Sequence, residues 1–207
     1  KALASIVDNI QDNENTFISL TLDTDDDAVN NEAFISRVRT RKANISIEWG
    51  LSTSKINAVN RSIPDIEWDV ICIGSDDIFF NFYGFDSIIR AEMGLHFPDG
   101  DGYLHFHEKD SGSALCVMTV CVKKYYDRFG YIYHEDYFSL WADNEQYDVA
   151  KILGRYIYIP YSIMEHRNPA YEEYKEIRDE QFNEQQKIGW GIDMETYHKR
   201  KAKNFDL

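Results

Sequence analysis

The segment at residues 68–73, WDVICI, constrains this chain more than any other. It is nearly all apolar, without the alternation of a half-exposed strand, and it runs directly into Gly74, Ser75, Asp76 and Asp77. Such a run fits a central strand covered on both faces, which occurs where helices flank a sheet, so it predicts an α/β domain. Ligands of open α/β sheets collect beyond the carboxyl ends of the strands. Two adjacent carboxylates at that end therefore mark the first place to look for chemistry.

The flanking sequence continues the alternation. Leu3, Ile6, Val7 and Ile10 recur at helical spacing, and residues 17–22 read as a strand ending in Asp23, Asp25, Asp26 and Asp27. A helix near residues 31–38, a strand at 45–49 closed by Gly50 and a helix at 53–61 follow. Beyond the acidic pair, residues 85–93 predict a helix, 103–106 and 115–122 strands, and 144–153 an amphipathic helix ending at Gly154. Residues 155–159 and 162–165 predict short late strands. No repeat or low-complexity linker interrupts the 207 residues, and only four are proline, so the chain reads as one domain, 1–207, with a charged helical extension over about 170–207.

Composition limits the partners. The chain is 43% hydrophobic and carries a formal charge of -14, which argues for a packed domain and against a broad footprint for nucleic acid or an anionic membrane. An acidic protein that handles a phosphorylated ligand needs a cation between itself and the phosphates, so a metal is worth seeking. Cys72, Cys116 and Cys121 are odd in number and lack C-x-x-C spacing, which favours buried reduced thiols over disulfides or zinc. No apolar run reaches the length of a membrane span and no signal sequence opens the chain, so the expectation is a soluble cytoplasmic protein without a transmembrane segment.

Three groups of residues carry candidate chemistry, each with a plainer alternative. Asp76 and Asp77 can hold a divalent cation, or merely form a turn or helix cap. His166, after the last expected strand, suits Mn²⁺, although a lone histidine is more often just hydrogen-bonded. Asp143, Asn144 and Glu145 precede an amphipathic helix, where one carboxylate can deprotonate a hydroxyl or simply complement the helix dipole. The acidic run from Asp23 is no calcium loop, since Ala28 and Phe34 stand where glycine and glutamate belong. The aromatic stretch Tyr125, Tyr126, Tyr131, Tyr133, His134 and Tyr137 has the chemistry to stack on sugar rings, though packing explains most such clusters.

Taken in order, Asp23, then Ser54-Lys55-Ile56-Asn57-Ala58-Val59-Asn60, then Ile73-Gly74-Ser75-Asp76-Asp77, then Asp143-Asn144-Glu145 and finally His166, the chain resembles nucleotide-sugar glycosyltransferases of the GT-A fold, the family 2-like group in particular. Residues 128–133 and 139–141, ahead of Asp143, look like small bacterial and phage members of that group. The resemblance implies a GT-A-like, Rossmann-like three-layer domain with a mostly parallel central sheet. It implies that Asp23 contacts the nucleotide base, that Asp25, Lys55 and Asn60 lie near the nucleotide sugar, and that Asp76 and Asp77 replace the D-x-D signature, with Asp76 toward the nucleotide sugar and Asp77 and His166 on Mn²⁺ or Mg²⁺. It further implies that Asp143 or Glu145 is the catalytic base of an inverting transfer, and that Gly112 and Ser113 face the acceptor. Two departures stand out: the family's first strand, ahead of the opening helix, is missing, and the signature reads S-D-D.

The expected partners are a nucleotide diphosphate sugar and a glycan or other hydroxyl acceptor. The rivals are a sugar-phosphate nucleotidyltransferase, for which no Gly-rich triphosphate loop is present, and a non-catalytic descendant that binds nucleotide or glycan. Sugar transfer to modified phage DNA is a further possibility that the negative charge disfavours.

Overall fold

The structure, a computed structural model, describes residues 1–207 with the exception of the Gln181 side chain. In chain order it comprises α1 (Ala2–Asn9), β1 (Phe17–Asp23), α2 (Glu32–Arg39), β2 (Asn44–Gly50), α3 (Lys55–Arg61), β3 (Val70–Cys72), β4 (Ile78–Phe80) and α4 (Phe85–His96). There follow β5 (Tyr103–Phe106), β6 (Val120–Val122), α5 (Lys123–Tyr126), α6 (Ala142–Ile152), β7 (Tyr156–Ile159), β8 (Met164–His166), α7 (Glu180–Ile188) and α8 (Met194–Ala202).

Side-chain caps start the early helices where the sequence provides them. Asn31 accepts the amide of Phe34 at 2.9 Å ahead of α2, and Ser54 accepts that of Asn57 at 3.0 Å ahead of α3, each satisfying a donor the helix leaves free.

The class is α/β, but the strands are distributed over three sheets. β1 and β2 form a parallel pair running from Phe17 opposite Asn44 to Asp23 opposite Gly50. A four-stranded sheet has the order β3-β6-β5-β7, in which β6 is antiparallel to both neighbours and β5 is parallel to β7. β4 and β8 make a separate antiparallel pair. The mostly parallel central sheet expected from the resemblance is thus corrected to a mixed arrangement. The reason lies in the connections: helical crossovers return the chain parallel, as between β1 and β2, whereas no helix separates β5 from β6, which run antiparallel. The run at 68–73, expected to be a central strand covered on both faces, is corrected: only Val70–Cys72 forms β3, it is half-buried throughout, and among the described residues it pairs with β6 alone and so lies at an edge of its sheet.

The core is centred on the four-stranded sheet, where Leu104 and Phe106 are buried to 2% exposure or less. Burial of an apolar side chain of this size contributes roughly 1.5–3 kcal/mol. α4 packs on β5 and α6 on β7. The strand expected over 115–122 is reduced to β6, although the Thr119 carbonyl still accepts the amide of Ile73 at 2.8 Å. All three cysteines are free, and burial pushes the Cys72 and Cys116 thiols up to about 12.

The C-terminal extension is helical and tied to the domain. A 3-10 turn at Glu172–Ile177, α7, a π turn at Gly189–Asp193 and α8 succeed one another. The buried Asp193 carboxylate accepts the amides of Phe138, Ser139 and Leu140, each at 2.8 Å. Gly189 lies against Leu140 so closely that a Cβ there would meet Cδ1 at 2.4 Å. Among the described residues no helix is long and apolar enough to cross a membrane.

Candidate functional site

The β4-β8 pair builds the site. Ile78 stands opposite His166, and the amide of Arg167 donates to the Asp77 carbonyl at 2.8 Å, so residues distant in sequence meet at the end of one short ladder. His166 Nε2 lies 3.3 Å from Asp77 Oδ2 across a sequence separation of 89. Ser75 donates its hydroxyl to the other Asp77 oxygen. α1 supports this ladder from below, with Ser5 Oγ accepting the Phe80 amide at 3.1 Å and Asn9 Nδ2 donating to the Phe80 carbonyl at 2.9 Å.

Burial alone would raise the pKa of Asp77. The hydrogen bond and charge of His166, the Ser75 hydroxyl and the Lys55 ammonium outweigh it and hold the carboxyl at about 2. Asp77 is thus ionised throughout the physiological range. His166 is itself buried; its Nε2 is also 3.3 Å from Asn168 Nδ2, the Tyr171 ring packs edge-on at 5.7 Å, and Nδ1 has no hydrogen-bond partner among the described residues.

Asp143 comes to the same cluster from the first turn of α6. Desolvation raises its pKa above the ordinary carboxylate range, against the opposing pull of Lys55, the Asn144 amide at 2.9 Å and His166. Trp141, just before α6, adopts the left-handed conformation with φ 65°, which is rare for a bulky residue and sets the direction from which the helix delivers Asp143. Lys55 is exposed at the start of α3 and acts electrostatically on both Asp77 and Asp143. The structure therefore brings Asp77 and His166 into contact, with Lys55 and Asp143 within electrostatic reach.

The other expected residues are placed differently. Glu145, two positions after Asp143, is buried and holds Arg200 through both oxygens at 2.8 and 2.9 Å while accepting the Tyr137 hydroxyl at 2.8 Å. Asn60 is fully used as a clamp, donating to the Tyr133 carbonyl at 2.7 Å and accepting the amides of Ile132 and Tyr133. Asp23, at the end of β1, pairs with Arg61 at 2.7 Å and accepts the Ser52 hydroxyl at 2.6 Å. Asp25 and Asp76 are exposed. Gly112, with φ +56°, and the exposed Ser113 lie on the loop after β5; the Gly112 amide donates to the Glu108 carbonyl at 2.7 Å, and Tyr147 donates to the Ser113 carbonyl at 3.0 Å.

Glu108 is the member of this neighbourhood that the sequence reading missed. It is buried and accepts the Ser111 amide and hydroxyl, both at 2.8 Å, the Asp110 amide at 3.1 Å and the Tyr171 hydroxyl at 3.3 Å. Burial would raise its pKa, but the Ser111 and Asp110 donors and the nearby His166 keep it below its usual value. Only a carboxylate flanked by turn residues hinted at it in the sequence, and that signal is common. Glu108, His166 and Glu165 also line a cleft of about 400 Å³ with Phe82, Lys109 and Tyr174.

Chemically, the cluster offers an ionised carboxylate, an imidazole, a carboxyl of raised pKa and an exposed cation. Among the described residues no three His, Cys, Asp or Glu side chains converge as a ready-made metal cage. Asp77 and His166 provide one oxygen and one nitrogen, an open set that suits Mn²⁺ or Mg²⁺ only when phosphate oxygens and water complete it. In comparisons with known proteins, no family model, no curated protein and no solved structure matches this chain.

Proposed function

We propose that the chain is a metal-dependent glycosyltransferase of GT-A type that moves a sugar from a nucleotide diphosphate sugar to an acceptor hydroxyl. The observation that carries the reading is the convergence of Asp77 and His166 at 3.3 Å, with Asp143 and Lys55 within electrostatic reach. These are residues the resemblance assigns to metal, base and nucleotide, and they come from four separate segments.

In this reading Asp77 and His166 would hold a divalent cation, and Lys55 would add positive charge nearby. When bound, the cation neutralises the charge that develops on the departing diphosphate. Asp143 accepts the proton of the acceptor hydroxyl as the acceptor oxygen bonds to the anomeric carbon and the bond from that carbon to the diphosphate oxygen breaks. Its raised pKa suits this role, because a base is most effective when its pKa lies near the working pH. Glu145, engaged with Arg200, is left in a supporting role.

Calorimetry with uridine, guanosine, cytidine and thymidine diphosphates tests the metal site. One of the four is expected to bind with Mn²⁺ and to lose that affinity in EDTA; Asp77→Ala should abolish the linkage and His166→Ala weaken it. Undiminished affinity in EDTA would overturn the reading.

A non-catalytic nucleotide- or glycan-binding protein is the second reading. It is favoured by the direct Asp77–His166 hydrogen bond, which also works as a structural clip between β4 and β8. Hydrolysis of a nucleotide-sugar panel with and without Mn²⁺ separates the two: turnover supports the enzyme, and binding without turnover the clip.

A further inference from the structure

A groove of about 500 Å³ lies between α2 and β2, and it shares no residue with the cluster around Asp77. Its floor is apolar: Ile45, Ile47 and Trp49 project from the same face of β2, and Ile35 and Val38 face them from α2. Its volume lies within the range of small-molecule sites. Arg39 and Arg41 line it near the C-terminal end of α2, where the sequence Arg37-Val38-Arg39-Thr40-Arg41-Lys42 places four cations in six residues of a chain whose net charge is -14. Arg39 makes no ion pair among the described residues, and Arg41 reaches only Asp8, at 3.8 Å.

α2 returns antiparallel to the strands it connects, so the basic end of the groove coincides with the start of β2 and Trp49 stands at its far end. From Ala43 to Trp49 the strand covers about 20 Å at roughly 3.3 Å per residue. The groove thus carries apolar side chains along its length and, at one end, positive charge offset only by Asp8.

We propose that this groove binds a single-chain anionic amphiphile, specifically a free long-chain carboxylate, with its head on Arg39 and Arg41 and its chain along Ile45, Ile47 and Trp49. A flat anionic bilayer is disfavoured as the occupant because the rest of the surface is acidic and would be repelled over a broad contact, whereas one amphiphile meets only the local cations. The site is independent of the proposed transferase activity.

Hexadecanoate below its micellar concentration is titrated into the full chain by calorimetry, beside its methyl ester, hexadecanoate in the Arg39→Glu/Arg41→Glu variant, and anionic phosphatidylserine vesicles. Saturable one-to-one binding of hexadecanoate is expected, weakened at least tenfold in the variant and in the ester. In a parallel titration followed by tryptophan fluorescence, the change on binding should be lost in Trp49→Phe, and an unaltered change in that variant would overturn the placement of the chain. Equal affinity for acid and ester, equal affinity of variant and parent, or binding to vesicles without binding to the monomeric acid would each overturn the proposal. The exchanged arginines are exposed, so circular dichroism of the variant checks that its fold is retained.

Discussion

Asp143 and Glu145 sit two positions apart on the first turn of α6, about 200° around a helix of 3.6 residues per turn. Rotation alone explains their different surroundings: one carboxyl is desolvated beside Lys55 and His166, the other is clamped by Arg200 and Tyr137. Substitution should separate them. Glu145→Gln removes the buried charge partner of the Arg200 guanidinium, leaving it only the more exposed Asp206 at 3.0 Å, and is expected to cost about 3 kcal/mol, the low end of the penalty for breaking a buried pair from one side. Asp143→Asn should leave the denaturant midpoint nearly unchanged and slow sugar transfer by about 10² to 10⁴, as loss of a general base does. Urea titration and initial rates on the same two proteins check both halves, and a destabilised Asp143→Asn with normal turnover would reverse the assignment.

At the scale of elements, short pieces do the positioning. β4 has three residues, yet its pairing with β8 is what brings Asp77 to His166. No periodicity is legible in Ile78-Phe79-Phe80, because a run that short does not distinguish strand from helix or loop. The C-terminal extension depends on a similarly small contact. Asp193 satisfies three amides of the segment ahead of α6, and each donor left buried without a partner costs roughly 1–3 kcal/mol. Asp193→Ala is therefore expected to destabilise the protein by at least about 3 kcal/mol and to speed hydrogen exchange at Phe138, Ser139 and Leu140. Unchanged protection at these amides would show that the tail is held by other contacts.

For the molecule as a whole, acid sensitivity follows from its carboxylates. Burial would raise Asp86, but the amides of Gln11 and Asp12 and the Arg90 guanidinium hold it below the ordinary range. Arg128, against burial and with help from Arg155, does the same for Asp101. Asp77 is held at about 2. Groups whose folded pKa lies below the unfolded value of about 3.9 contribute full stability above that value and lose it as pH falls through the folded one. Unfolding free energy should accordingly decline below about pH 4, and Asp86→Asn should flatten that decline while lowering stability at pH 7. A variant as steep as the parent would place the acid sensitivity elsewhere.

Local chemistry in the sequence by itself determined the α/β class, most of the helices and their caps at Asn31 and Ser54, since periodicity and capping act within a few residues. It also singled out Asp77, Asp143 and His166 as residue types suited to one chemistry, while Lys55 entered only through the resemblance. What tertiary structure alone decided was which of the acids lies against His166, that Glu145 and Asn60 are committed to internal contacts, and that the strands divide among three sheets. The physical reason is that strand pairing and charge proximity are non-local. The strand partners of β4 lie 84 to 88 residues away, and no window of sequence around Asp77 contains the histidine it meets, 89 positions on.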